Sequence, residues 1–103
     1  MTLEEFKRSL SHAKPPDVEP ALVALWHDAR GDWEKAHHIA QDVDDDTGSW
    51  VHAYLHRKEG DLGNAGYWYR QARRPVANSS LNVEWDAIVT ELLAAAPKAK
   101  GRA

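Results

Sequence analysis

The stretch that decides the fold is Arg30–Ala40, RGDWEKAHHIA. It returns in weaker form at Glu59–Tyr69, EGDLGNAGYWY, where Gly60 follows Gly31 by 29 residues. In each copy a Gly-Asp pair separates two apolar, helically periodic runs. Glycine accepts the left-handed conformation that closes a helix, and aspartate accepts hydrogen bonds from the free N–H groups that open the next. Each copy therefore reads as a helix, a tight corner and a second helix. In this register His27 meets His56, Ala24 meets Ala53, and Ala36 meets Ala65. Small residues at the two alanine pairs let helices approach closely.

The remaining segments follow outward from the corners. VEPALVALWHDAR, before Gly31, is apolar almost all round, so this second helix belongs in the middle of the structure. A third helix runs from about Trp33 to Val43, with Ala36, Ile39, Ala40 and Val43 on one side. A fourth covers roughly Ser49–Lys58, and a fifth about Leu62–Arg73, ending before Pro75. At the N-terminus Thr2 and Glu5 form a capping box, and Leu3, Phe6, Leu10 and Ala13 make an apolar stripe that KPPD at Lys14–Asp17 stops. Asp17 is placed to cap the second helix, with Pro20 in its first turn. A final helix, about Ser80–Ala96, carries Leu81, Trp85, Ile88, Val89, Leu92 and Leu93. No strand pattern competes. The expectation is one all-α domain over residues 1–96, of five to six short antiparallel helices, and a flexible basic tail over 97–103.

Composition narrows the function classes. The chain has 103 residues with 43% apolar and 28% charged, ordinary for a soluble globular protein. Five Trp in so small a domain are placed in core or interface, because each buries roughly 150–250 Å². A formal charge of −3 gives no reason for a nucleic-acid partner. The absence of cysteine excludes disulfide and thiolate chemistry. MTLEEFKRSL lacks the pattern of a secretory signal, and no run approaches the ~20 apolar residues of a membrane span. These features read as a cytoplasmic protein without membrane contact.

GDWEKA with Ala40, and GDLGNA with Tyr69, resemble the turn and second-helix motif of the tetratricopeptide (TPR) and Sel1-like helical-hairpin repeats. The resemblance covers roughly Pro20–Ala72. It departs from the TPR pattern in the first helix, where Ala24 and Ala53 stand for Gly, His27 and His56 for Tyr, and Pro20 and Ser49 for Trp; the period is also shorter than the usual ~34. What the resemblance implies is two stacked hairpins flanked by capping helices, since two repeats alone bury too little surface. An irregular bundle with one duplicated hairpin is the alternative.

Two functions follow as expectations. In hairpin repeats a stripe along the first helices lines a groove. Trp50, Tyr54 and Arg57 fall on that stripe, with Ala21, Leu25 and Asp28 as their equivalents. A non-enzymatic interaction or scaffold module would use Leu25, Asp28, Trp50, Tyr54 and Arg57 for a protein or peptide partner, or for a second copy in a homodimer. Tyr67 in YWYR points away from Trp68 and Tyr69, so it either packs on the final helix or joins the partner surface. The alternative is a ligand- or metal-binding site. His52 and His56 lie one turn apart, about 6 Å along the helix, and His27 sits at the repeat position of His56. A carboxylate from Asp28 or Glu59 would complete that set. The same histidines also fit a purely structural role, replacing packed aromatics of a repeat.

Helix periodicity places His52 and His56 opposite the Trp50, Val51, Tyr54 and Leu55 face, whereas repeat register tucks His56 against the fifth helix. Both hold only if the fourth helix is covered on two sides. DVDDD, Asp42 to Asp46, lacks calcium-loop spacing and reads as a solvated loop with a capping Asp46 or Thr47 and Arg73–Arg74 as its basic partner. No nucleophile stands beside a base, and no phosphate-cradling loop is present, so the sequence motivates neither an enzyme nor a cofactor.

Overall fold

The computed structural model describes residues 1–100, with side chains described through Ala95. Among the described residues there are six helices and no strand: α1 (Leu3–Ser9), α2 (Pro20–Ala29), α3 (Trp33–Gln41), α4 (Asp46–Glu59), α5 (Leu62–Ala72) and α6 (Leu81–Lys100). The all-α architecture is as the periodicity predicts.

The two Gly-Asp corners are built alike. The Asp32 N–H donates to the His27 carbonyl at 3.0 Å and the Gly31 N–H to Asp28 at 2.9 Å. At the second corner Asp61 donates to His56 at 3.0 Å and Gly60 to Arg57 at 3.1 Å. This double closure needs a left-handed residue, supplied by Gly31 (φ 87°) and Gly60 (φ 92°). The carboxylates of Asp32 and Asp61 then accept from the Lys35 and Asn64 N–H groups and start the following helices. The same closure ends α5, where Arg73 takes the left-handed position at φ 61° without being glycine.

Within each hairpin α2 packs on α3 and α4 on α5, while α3 and α2 both lie against α4. α6 runs across α2 and α4 and reaches α1. The core forms where these elements meet, from Phe6, Leu22, Leu25, Trp26, Val51, Leu55, Tyr69, Ile88 and Val89. Two of the buried indoles have their N–H groups paired. Trp26 donates to the Ser9 carbonyl and hydroxyl, and Trp85 donates to the Leu25 carbonyl at 3.1 Å.

Four boundaries differ from the sequence expectation. α1 ends at Ser9 rather than near Ala13, although Leu10 still packs on the core. Asp17 does not cap α2; the N-cap is Glu19, with Pro20 as the first helical residue. α4 begins at Asp46 because Asp45, not Asp46 or Thr47, accepts from the Gly48 N–H at 2.9 Å. α6 continues to Lys100, and residues 101–103 of the expected tail lie outside the described residues. The acidic run is exposed, and Arg73 stands 3.8 Å from Asp46 as its basic partner, a pair too solvated to contribute much. No described helix is long and apolar enough to cross a membrane.

Candidate metal centre

α4 brings His52 and His56 to one side by helical spacing, and the packing of α3 on α4 brings His37 to meet them. Trp33 fixes that joint. Its indole donates to the Leu55 carbonyl at 2.8 Å, and its ring stacks on His37 with centroids 4.9 Å apart and planes 11° from parallel. From the other side Trp68 of α5 stacks on His52 at 4.0 Å and 12°. α4 is thus covered on two sides, and His52 and His56 are 6% and 7% exposed. His52 meets α5 through Trp68, whereas His56 packs on Trp33 and His37 of α3.

The three imidazoles converge. One ligating nitrogen from each of His37, His52 and His56 lies within 4.8 Å of the others. The Nε2 atoms of His37 and His52 are 2.9 Å apart, a hydrogen bond that requires one ring to present a bare nitrogen. Glu59 Oε2 sits 2.7 Å from His56 Nδ1. A carboxylate there holds the proton on Nδ1 and leaves Nε2 as the free donor, the arrangement that orients a metal-ligating histidine.

Electrostatics favour the neutral form of His37 and His52. Burial lowers the His52 pKa to about 4, assisted by the charges His37 and His56 would carry. His37 is lowered by burial first and by His56 next, with Glu59 opposing. At neutral pH both rings are therefore uncharged, and the one proton between their Nε2 atoms is what a cation would displace. Three imidazole nitrogens from two helices make an N-donor set suited to zinc, copper or nickel. Tetrahedral bonds of about 2.0–2.1 Å put ligand nitrogens about 3.3 Å apart, so the His37–His52 pair opens only slightly on loading.

His27 does not join this cluster. Its ring lies edge-on to Trp26, and its pKa is lowered by burial and then by Lys35. His27 lies on α2, whereas His37 comes from α3, the helix that packs against α4 at His52 and His56. Of the two carboxylates considered, Glu59 stands at the cluster, while Asp28 is paired with Lys58 at 2.9 Å. His37, Trp33 and Trp68 were not read from the sequence as site residues. The signal for His37 was its place beside Ala36 and Ala40, the face that α3 turns inward.

The positions expected to bind a partner are covered by the chain's own packing. Leu25, Asp28, Trp50 and Tyr54 are 0%, 2%, 7% and 3% exposed, and Arg57 is half-buried. α6 does much of this. Glu84, itself buried, accepts from Arg57 at 2.7 Å and from the Tyr69 hydroxyl at 2.6 Å, and Arg57 also donates to the Ser79 carbonyl. Arg74 lies 3.5 Å over the Trp50 ring. Burial, then the Asp28 carboxylate, pushes the Tyr54 hydroxyl pKa upward. The physical reason is that the apolar stripe of α6 finds its own cover on α2 and α4. Tyr67 takes the exposed alternative, 46% accessible and edge-on to Trp68. The chain matches no protein-family model, no curated protein and no solved structure.

Proposed function

We propose that this chain is a small helical metal-binding protein that holds one divalent first-row transition ion through His37, His52 and His56. One observation carries the reading: three buried or half-buried imidazoles from two helices offer nitrogens within 4.8 Å of one another. Bringing three such rings together costs desolvation and, below neutral pH, mutual repulsion. A bound cation would offset both. The scaffold is TPR-like in this reading, with two hairpins whose shared joint, α3 on α4, carries the ligands.

Calorimetric titration with Zn²⁺, Cu²⁺ and Ni²⁺ tests it. Submicromolar binding of at least one ion is expected, weakened at least 100-fold by His37→Gln and by His56→Gln and unchanged by His27→Gln. Equal binding by all variants, or none by a folded wild-type chain, removes the proposal.

A second reading keeps the chain as a non-enzymatic interaction module. The exposed Leu62 and Tyr67 on α5 support it, as outward-facing apolar side chains that no described contact covers fully. In this reading the partner is a protein or a second copy, and it docks on α5, because α6 occupies the stripe along α2 and α4. Light scattering over a concentration series distinguishes the homodimer from a monomer.

A further inference from the structure

We infer a second metal position on the outer side of His56, formed by its Nδ1 atom with Glu59 and Asp61, so that the His56 ring bridges two ions. The inference rests on the three-imidazole reading for the inner ion and adds a separate set of donors.

A ring nitrogen of His56 and one carboxylate oxygen each from Glu59 and Asp61 lie within 4.8 Å of one another. Glu59 already reaches Nδ1 at 2.7 Å. The Gly60 corner brings Asp61 to the same place, because the closing bond runs from the Asp61 N–H back to the His56 carbonyl at 3.0 Å. Asp61 uses its carboxylate only lightly in capping α5, at 3.3 Å to the Asn64 N–H and 3.4 Å to its side-chain amide. Carboxylate oxygens therefore remain for a cation.

The two edges of the ring face different chemistry. The ring packs against His37 and His52 in the joint between helices, with centroids 5.1 and 4.9 Å away, and its Nε2 atom is assigned to that side. The outer edge meets two anionic oxygens on exposed residues, where water completes a coordination shell and an ion enters without opening the fold. His56 is the one buried member of the outer set, and it belongs to both. Bridging requires both ring nitrogens to be unprotonated. The outer ion therefore displaces the Nδ1 proton, which leaves to solvent past Glu59. The two carboxylates and the imidazolate then balance the charge of the added cation.

Native mass spectrometry and calorimetry on the full chain, with Zn²⁺ or Cu²⁺ as the only added ligand, test the inference. Two equivalents are expected for the wild type and one for Asp61→Asn and for Glu59→Gln. Asparagine also caps helices, so the first variant keeps the corner. In the doubly copper-loaded wild type the bridging ring couples the two spins, and the paramagnetic resonance signal falls below that of the singly loaded form. One equivalent in the wild type overturns the outer position and leaves the three-histidine site standing. Two equivalents retained by both variants also overturn it. No bound ion overturns both sites.

Discussion

His52 is a base held away from its proton. Its pKa falls from 6.5 in a free chain to about 4 in the fold, because burial and two neighbouring imidazoles oppose its charge. Between those values the unfolded chain binds the proton and the folded one does not, so the stability of the metal-free protein falls as pH drops through that window and levels off below it. The shift corresponds to a loss of about 3 kcal/mol at most. His37 moves in the same direction. Urea unfolding of metal-free protein at intervals across the window should show this decline, and His52→Gln should flatten it. A wild-type stability that stays level from neutrality to about pH 4 would contradict the account. At this scale the sequence was legible for His52 and His56, since one helical turn sets their spacing. It was not legible for His37, because repeat register identifies equivalent positions and says nothing about which of them touch.

At the scale of elements the corners were readable from residue type. Gly31 and Gly60 sit at positive φ, and Asp32 and Asp61 cap the helices that follow. The start of α4 was less readable, because four aspartates compete for the cap and only backbone direction selects Asp45. The close approach just after that cap was hidden as well. A Cβ on Gly48 would stand 2.0 Å from the Val43 carbonyl oxygen, although Gly48 has ordinary helical geometry. Gly63, in the first turn of α5, has open space where a Cβ would go. The two glycines therefore predict opposite outcomes. Gly48→Ala should cost about 1–3 kcal/mol, through displacement of the loop before α4. Gly63→Ala should gain about 0.4–1 kcal/mol by restricting the unfolded chain. Thermal denaturation of both variants checks the pair, and a stabilised Gly48→Ala would show that the loop carries no packing constraint.

Over the whole molecule, the stripes on α2, α4 and α6 were each visible as helical patterns, yet amphipathicity specifies which face is buried and not what buries it. Trp50 and Tyr54 read as anchors for a partner, because their stripe shows no occupant in the sequence. The structure buries both, with Arg74 over the Trp50 ring and the Asp28 carboxylate beside the Tyr54 hydroxyl, while Glu84 of α6 holds Arg57 and Tyr69. What remains is a joint between two hairpins at which α3 supplies one imidazole and α4 two, with Trp33 and Trp68 stacked on His37 and His52. An ion there would tie one hairpin to the next, and that proposal is the central claim. X-ray absorption spectroscopy of the protein loaded with one equivalent of Zn²⁺ tests it most directly. Three imidazole nitrogens at about 2.0 Å are predicted for the wild type, falling to two in His37→Gln. A shell of oxygens without imidazole scattering, or one that His37→Gln leaves unchanged, would contradict it.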